Sequence, residues 1–179
     1  SDTNPDEYDD STILHEYGHF IMHAFSYDNS PYVQVHSLTD TNQDIRLSWS
    51  EGWATFFSCM VRNSPMDINI IRDYKAYYNI EDLDYDIPIE GYKSLVPYAK
   101  GQDTEVSVSS ILWDIYDSTS DTGDSLGLGA KPIWDVFHGF KSSYDCVLED
   151  FYNGFFSNSA NEIYSNQINN LFAERKVFY

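Results

Sequence analysis

"STILHEYGHFIMHAF", Ser11 to Phe25, decides how the rest of the chain is read. Its apolar residues Ile13, Leu14, Tyr17, Phe20, Ile21, Ala24 and Phe25 recur at helical spacing, with Asp9, Asp10 or Ser11 available to cap the first turn. The spacing predicts a helix of about four turns. Within it, His15 and His19 stand four residues apart, so on a helix they project from one face a single turn apart.

Two imidazoles so placed can share a metal ion, and Glu16 falls beside them near the open coordination position. Zinc takes neutral nitrogen ligands and, for catalysis, keeps one position for water, whose proton a neighbouring carboxylate can accept. A pair of histidines needs a third ligand, and His23, His36 and Glu51 are the candidates. His23 lies a further turn along the helix, where its side chain drifts off the seam. The extended pattern that would use a third histidine nearby is absent, because Phe25 stands in its final position.

Glu51 lies in "LSWSEGWATFF", a second helical segment expected from about Trp49 to Val61, where Trp49, Trp53, Phe56 and Phe57 predict burial. Two readings of Glu51 stay open. Ser48-x-x-Glu51 fits a capping box, in which the carboxylate bonds the backbone of its own helix. With the paired histidines upstream, a buried carboxylate on the following helix instead finds its counter-charge in a metal.

"HEYGH" followed by "WSEGWATFF" resembles the gluzincin metallopeptidases, in particular the fungalysin-like and thermolysin-like groups. The resemblance covers Ser11 to Met60, and more loosely "EVSVSSILWDIYD" and "LEDFYNGF". It implies a zincin-like catalytic domain from a divergent bacterial or archaeal family, with zinc held by His15, His19 and Glu51 and with Glu16 as general base for peptide hydrolysis. It departs at Thr55, where the family often carries the Asp that orients a zinc-bound histidine. The resemblance places an oxyanion-stabilising residue ahead of the fourth helix. Tyr98 is the first choice, with Tyr92, His138 and His36 behind it.

Elsewhere the pattern predicts a mainly α chain with a small β component. "PYVQVHSL" and "IRL" read as a short hairpin, "SPMDINIIRDYKAYYNI" as a third helix, and Ile80 to Gln102 as a long loop. "TEVSVSSILWDIYD" and three later segments supply a helical C-terminal half. With 179 residues, the whole chain, 1–179, reads as a single domain. Its start at Ser1, without initiator Met or signal peptide, reads as a piece of a longer precursor.

Composition narrows the partners. The net charge of −19, from 29 acidic and 10 basic residues, argues against nucleic acid and anionic membranes. No apolar run is long enough to span a bilayer, and the resemblance implies a peptide or protein substrate and an extracellular or cell-surface location. Asp114, Asp117, Asp121 and Asp124 crowd the end of the fourth helix and raise the expectation of bound calcium. Cys59 and Cys146 lie in different helices and can either pair or stay apart as buried thiols. The alternatives to an active peptidase are a catalytically inert zinc-binding module of a surface protein and a metal-free helical domain.

Overall fold

Asp44 starts the helix around which the fold is organised. In the computed structural model, which describes residues 10–32, 35, 36, 38, 40–64, 66–71, 74–80, 84–89, 92–97, 100–118 and 126–177, helix α2 runs from Ile45 to Arg62. The Asp44 side chain accepts from the backbone N–H of Arg46 and caps the first turn, and Asn63 ends the helix in the left-handed conformation. Twelve of its residues are buried, too many for one face, so α2 is enclosed by its neighbours rather than laid on a surface.

Helix α1 (Asp10–Phe25) and helix α3 (Glu105–Tyr116) are its main partners. Both lie close because glycines permit it. A Cβ on Gly18 would sit 2.9 Å from the Ala54 Cα, and one on Gly52 would sit 2.5 Å from the Val108 Cβ. The indole N–H of Trp53 donates to the Gly18 carbonyl at 3.2 Å, and Ser58 Oγ donates to the Ser11 carbonyl at 3.0 Å. These contacts turn the Ser11, Gly18 and Met22 side of α1 inward. Ile13, Tyr17, Phe20 and Phe25, part of the expected apolar stripe, are about half exposed instead.

Between α2 and α3 the chain forms a four-stranded antiparallel meander in the order β1 (Met66–Ile71), β2 (Tyr74–Asn79), β3 (Asp84–Ile89) and β4 (Tyr92–Pro97). This corrects two expectations: the third helix is the β1–β2 hairpin, and the long loop contains β3 and β4. Pro88 fits in β3 because pairing with β2 ends at Asp86, so the missing N–H interrupts no bond on that side. The hairpin expected earlier is also displaced. Ile45, Arg46 and Leu47 form the first turn of α2, and no described residue between 31 and 38 lies in a strand.

Helices α4 (Ala130–Phe137), α5 (Leu148–Phe156) and α6 (Ser165–Glu174), with a 3₁₀ segment at Ser159–Tyr164 ahead of α6, close the core. Trp53 stacks on Phe137 with centroids 3.6 Å apart, and Trp49, Phe56, Phe151, Phe155 and Phe172 are almost fully buried around them. The chain is mainly helical. Among the described residues no helix is long and apolar enough to cross a membrane. Cys59 and Cys146 are both buried and are not joined to each other.

Candidate metal centre

The close seating of α1 on α2 brings three of the expected ligands to one point. His15 Nε2 lies 3.1 Å and His19 Nε2 3.3 Å from Glu51 Oε2, and the two nitrogens are 3.2 Å apart. This near-equilateral triangle has the dimensions of a metal site. Four ligands at about 2.0–2.1 Å around a tetrahedral ion stand about 3.3–3.4 Å from one another.

Hydrogen bonding alone does not account for the triangle. Each Nε2 carries at most one proton, and an ionised carboxylate carries none. If both imidazoles donate to Oε2, their two N–H groups face each other; if one donates to the other, a lone pair of the acceptor faces the carboxylate. One edge is repulsive in either case, and a cation at the centre turns all three contacts into attractions. The donor set, two imidazole nitrogens and one carboxylate oxygen, suits zinc.

Glu51 is largely buried within α2, and Ser48 lies inside the first turn with its N–H bonded to the Asp44 carbonyl. Asp44, not Ser48, caps the helix, so the capping-box reading of Glu51 is set aside. Burial would raise the Glu51 carboxyl, but hydrogen bonds and charge from His15 and His19 outweigh it and hold the group well below the usual carboxylate range. Burial likewise pulls His19 down, while Glu51, Glu16 and Asp28 raise it, and the net direction is upward. The site is electrically built for positive charge.

The far sides of both imidazoles are also held, again from α2. Thr55 Oγ1 lies 3.3 Å from His15 Nδ1, and Ser50 Oγ lies 3.3 Å from His19 Nδ1. Ser50 spends its single proton on Asp28 Oδ2, at 3.3 Å, so its oxygen is left to accept from His19. A proton on Nδ1 leaves the Nε2 lone pair facing the triangle. Thr55 thus occupies the place the resemblance reserves for an Asp and reaches the His15 ring. Ser50 and Asp28 went unrecognised in the sequence, although Ser50 directly precedes Glu51.

Glu16 is exposed on α1, one residue beyond His15. An open pocket of about 380 Å³ adjoins the triangle, lined by Asp28, Ser30, Pro31, Tyr32, His36, Leu47 and Glu51. His36 enters it from the α1–α2 connection. Its Nδ1 lies 3.0 Å from Glu105 Oε1, a hydrogen bond that, with added charge from Glu51 and Asp40, overcomes burial and raises the ring to about 9.

The remaining candidates are elsewhere or undescribed. His23 is exposed in the last turn of α1 and joins no group of metal donors among the described residues. His138 ends α4 and stacks on Trp134. Tyr98 lies outside the described residues, and Tyr92 is placed only as a backbone position in β4. Of the expected calcium ligands, Asp114 is buried and ion-paired to the buried Arg175, Asp117 is the C-cap of α3, and Asp121 and Asp124 lie outside the described residues. A carboxylate neutralised by a guanidinium is a poor calcium ligand.

The family model of the Mycolysin C-terminal domain matches residues 2–159, most of the chain. An uncharacterized protein of Archaeoglobus fulgidus is 28% identical over 113 residues, covering 62% of this chain and 28% of that protein. The chain thus spans little more than a quarter of that relative's length. No solved structure matches.

Proposed function

Because the chain belongs to the Mycolysin C-terminal domain family, which relates it to the fungalysin-like metallopeptidases, we propose that it is a zinc-dependent peptidase acting on peptide or protein substrates outside the cell or at its surface. The observation that carries this reading is the triangle of His15 Nε2, His19 Nε2 and Glu51 Oε2, with edges of 3.1–3.3 Å.

His15, His19 and Glu51 would hold the zinc, with Ser50 accepting from His19 Nδ1 so that its Nε2 is presented and Thr55 within reach of His15 Nδ1. Zinc in this position supplies a polarised water and a Lewis acid for the substrate carbonyl. Glu16, exposed beside the histidines, takes the proton of the attacking water on its carboxylate and returns it to the leaving amine. The pocket lined by Asp28, Ser30, Tyr32, His36 and Glu51 receives the peptide.

The test is Glu16→Gln. The variant is expected to keep zinc at the wild-type level and to lose cleavage of an unstructured protein such as casein by a factor of about 10²–10⁴. Cleavage at the wild-type rate would remove Glu16 from the mechanism. Zinc in both proteins with cleavage in neither would identify an inert zinc module.

A further inference from the structure

Glu105 is a carboxylate that the chemistry above does not use. It is the first residue of α3 and only 3% exposed, an arrangement that costs stability unless the charge is met. It is met by His36, whose Nδ1 lies 3.0 Å away. The opposite nitrogen of the same ring, Nε2, lies 3.5 Å from Glu51 Oε1. The Glu51 carboxylate is thus divided: Oε2 faces His15 and His19, while Oε1 faces His36. One ligand atom from each of His36, Glu51 and Glu105 lies within 4.8 Å of the other two, yet the ring meets each carboxylate with a different nitrogen, the arrangement of a bridge between two acids.

We infer that His36, held by Glu105, is a positioning residue for Glu51: by engaging Oε1 it leaves only Oε2 to the metal. This rests on the three-ligand reading and deepens it. A carboxylate with both oxygens free can close on a cation with either or both, which would take up the coordination position that the attacking water and the carbonyl must share. A buried acid on α3 and an imidazole from the α1–α2 connection together prevent this. They tie the ligand geometry to an element that contributes no ligand.

The test uses the full chain loaded with cobalt(II), whose visible absorption is intense with four ligands and weak with more, alongside zinc affinity measured by competition with a chromophoric chelator. His36→Ala is expected to weaken and shift the cobalt band and to lower zinc affinity about 10–100-fold, the range for groups that orient metal ligands. His36→Gln, which keeps an N–H donor, is expected to recover most of the band, and Glu105→Gln to fall between the two. Circular dichroism on each variant establishes that it is folded. A folded His36→Ala protein with the wild-type band and affinity would overturn the inference while leaving the three-ligand site standing. Two metal ions per wild-type chain would also overturn it, by making His36 a ligand. A wild-type chain that takes up neither metal would overturn both this inference and the proposed function.

Discussion

Gly18, the fourth letter of "HEYGH", carries no chemistry, and Gly18→Ala tests how the site is built. Ala is the better helix former by about 1 kcal/mol, so on an isolated helix the change stabilises. Here the new Cβ arrives 2.9 Å from the Ala54 Cα and 3.3 Å from the Ala54 carbonyl oxygen. These are backbone atoms that no rotamer change can move. Carbon atoms rest at about 3.5–4.0 Å, so α1 must back away from α2 by roughly 0.6–1 Å at this point. Overpacking of this kind costs about 1–3 kcal/mol, which exceeds the helical gain. The expected net loss is about 1 kcal/mol, read as a fall of about 2–4 °C in Tm for a chain of this size.

The same retreat opens the triangle. Metal–ligand distances tolerate about ±0.2 Å, less than the displacement, and zinc affinity is expected to fall about 10–100-fold. Thermal unfolding with and without a chelator, and a competition titration for zinc, measure the two effects. Adding Ala54→Gly is expected not to rescue either one, because the tightest contact is with Cα. A Gly18→Ala protein more stable than wild type with unchanged zinc affinity would refute the argument that Gly18 sets the α1–α2 distance.

Asp44→Ala is expected to remove the cap of α2 and lower stability by about 1 kcal/mol. Its carboxyl is held at about 2, below the usual 3.8, first by the Arg46 side chain. A lowered carboxyl stabilises the fold above its ordinary value and loses that contribution as pH falls through the folded one. The Tm difference between wild type and Asp44→Ala is therefore expected to shrink between pH 4 and pH 2, and a constant difference would contradict the assignment. Arg175→Ala removes the ion-pair partner of Asp114, with both residues about 95% buried, and is expected to cost about 3–5 kcal/mol by denaturant unfolding. A loss below about 1 kcal/mol would show that the pair is hydrated.

The meeting of His15, His19 and Glu51 was legible in the sequence because their residue types are rare and their spacing is rigid. His15, Glu16 and His19 are fixed by one helix, and Glu51 by the helix after it. The groups around them left no pattern. Ser50 and Asp28 are common residues whose roles depend on how two helices meet, and Glu105 lies 69 positions from the histidine it holds.

The inward face of α1 does not follow from its apolar spacing. An apolar stripe usually marks the buried face, but here the small side with Ser11 and Gly18 goes inward, because only it allows the approach that joins the histidines to Glu51. The missed strands carried a signal. Met66, Ile68 and Ile70 alternate with Asp67 and Asn69 at period two, while Ile68 and Ile71 also fit a helix, and short apolar runs do not separate the two templates. Pro88 pointed away from a strand, yet it lies where β3 has no partner on the β2 side.

A metal ion held by side chains from two helices must show in the metal content of the protein. Elemental analysis of protein purified without added metal is expected to give about one zinc per wild-type chain and strong loss in Glu51→Ala. No zinc in the wild type, or zinc undiminished without Glu51, would contradict the account and leave the triangle of His15, His19 and Glu51 as a set of hydrogen-bonding side chains.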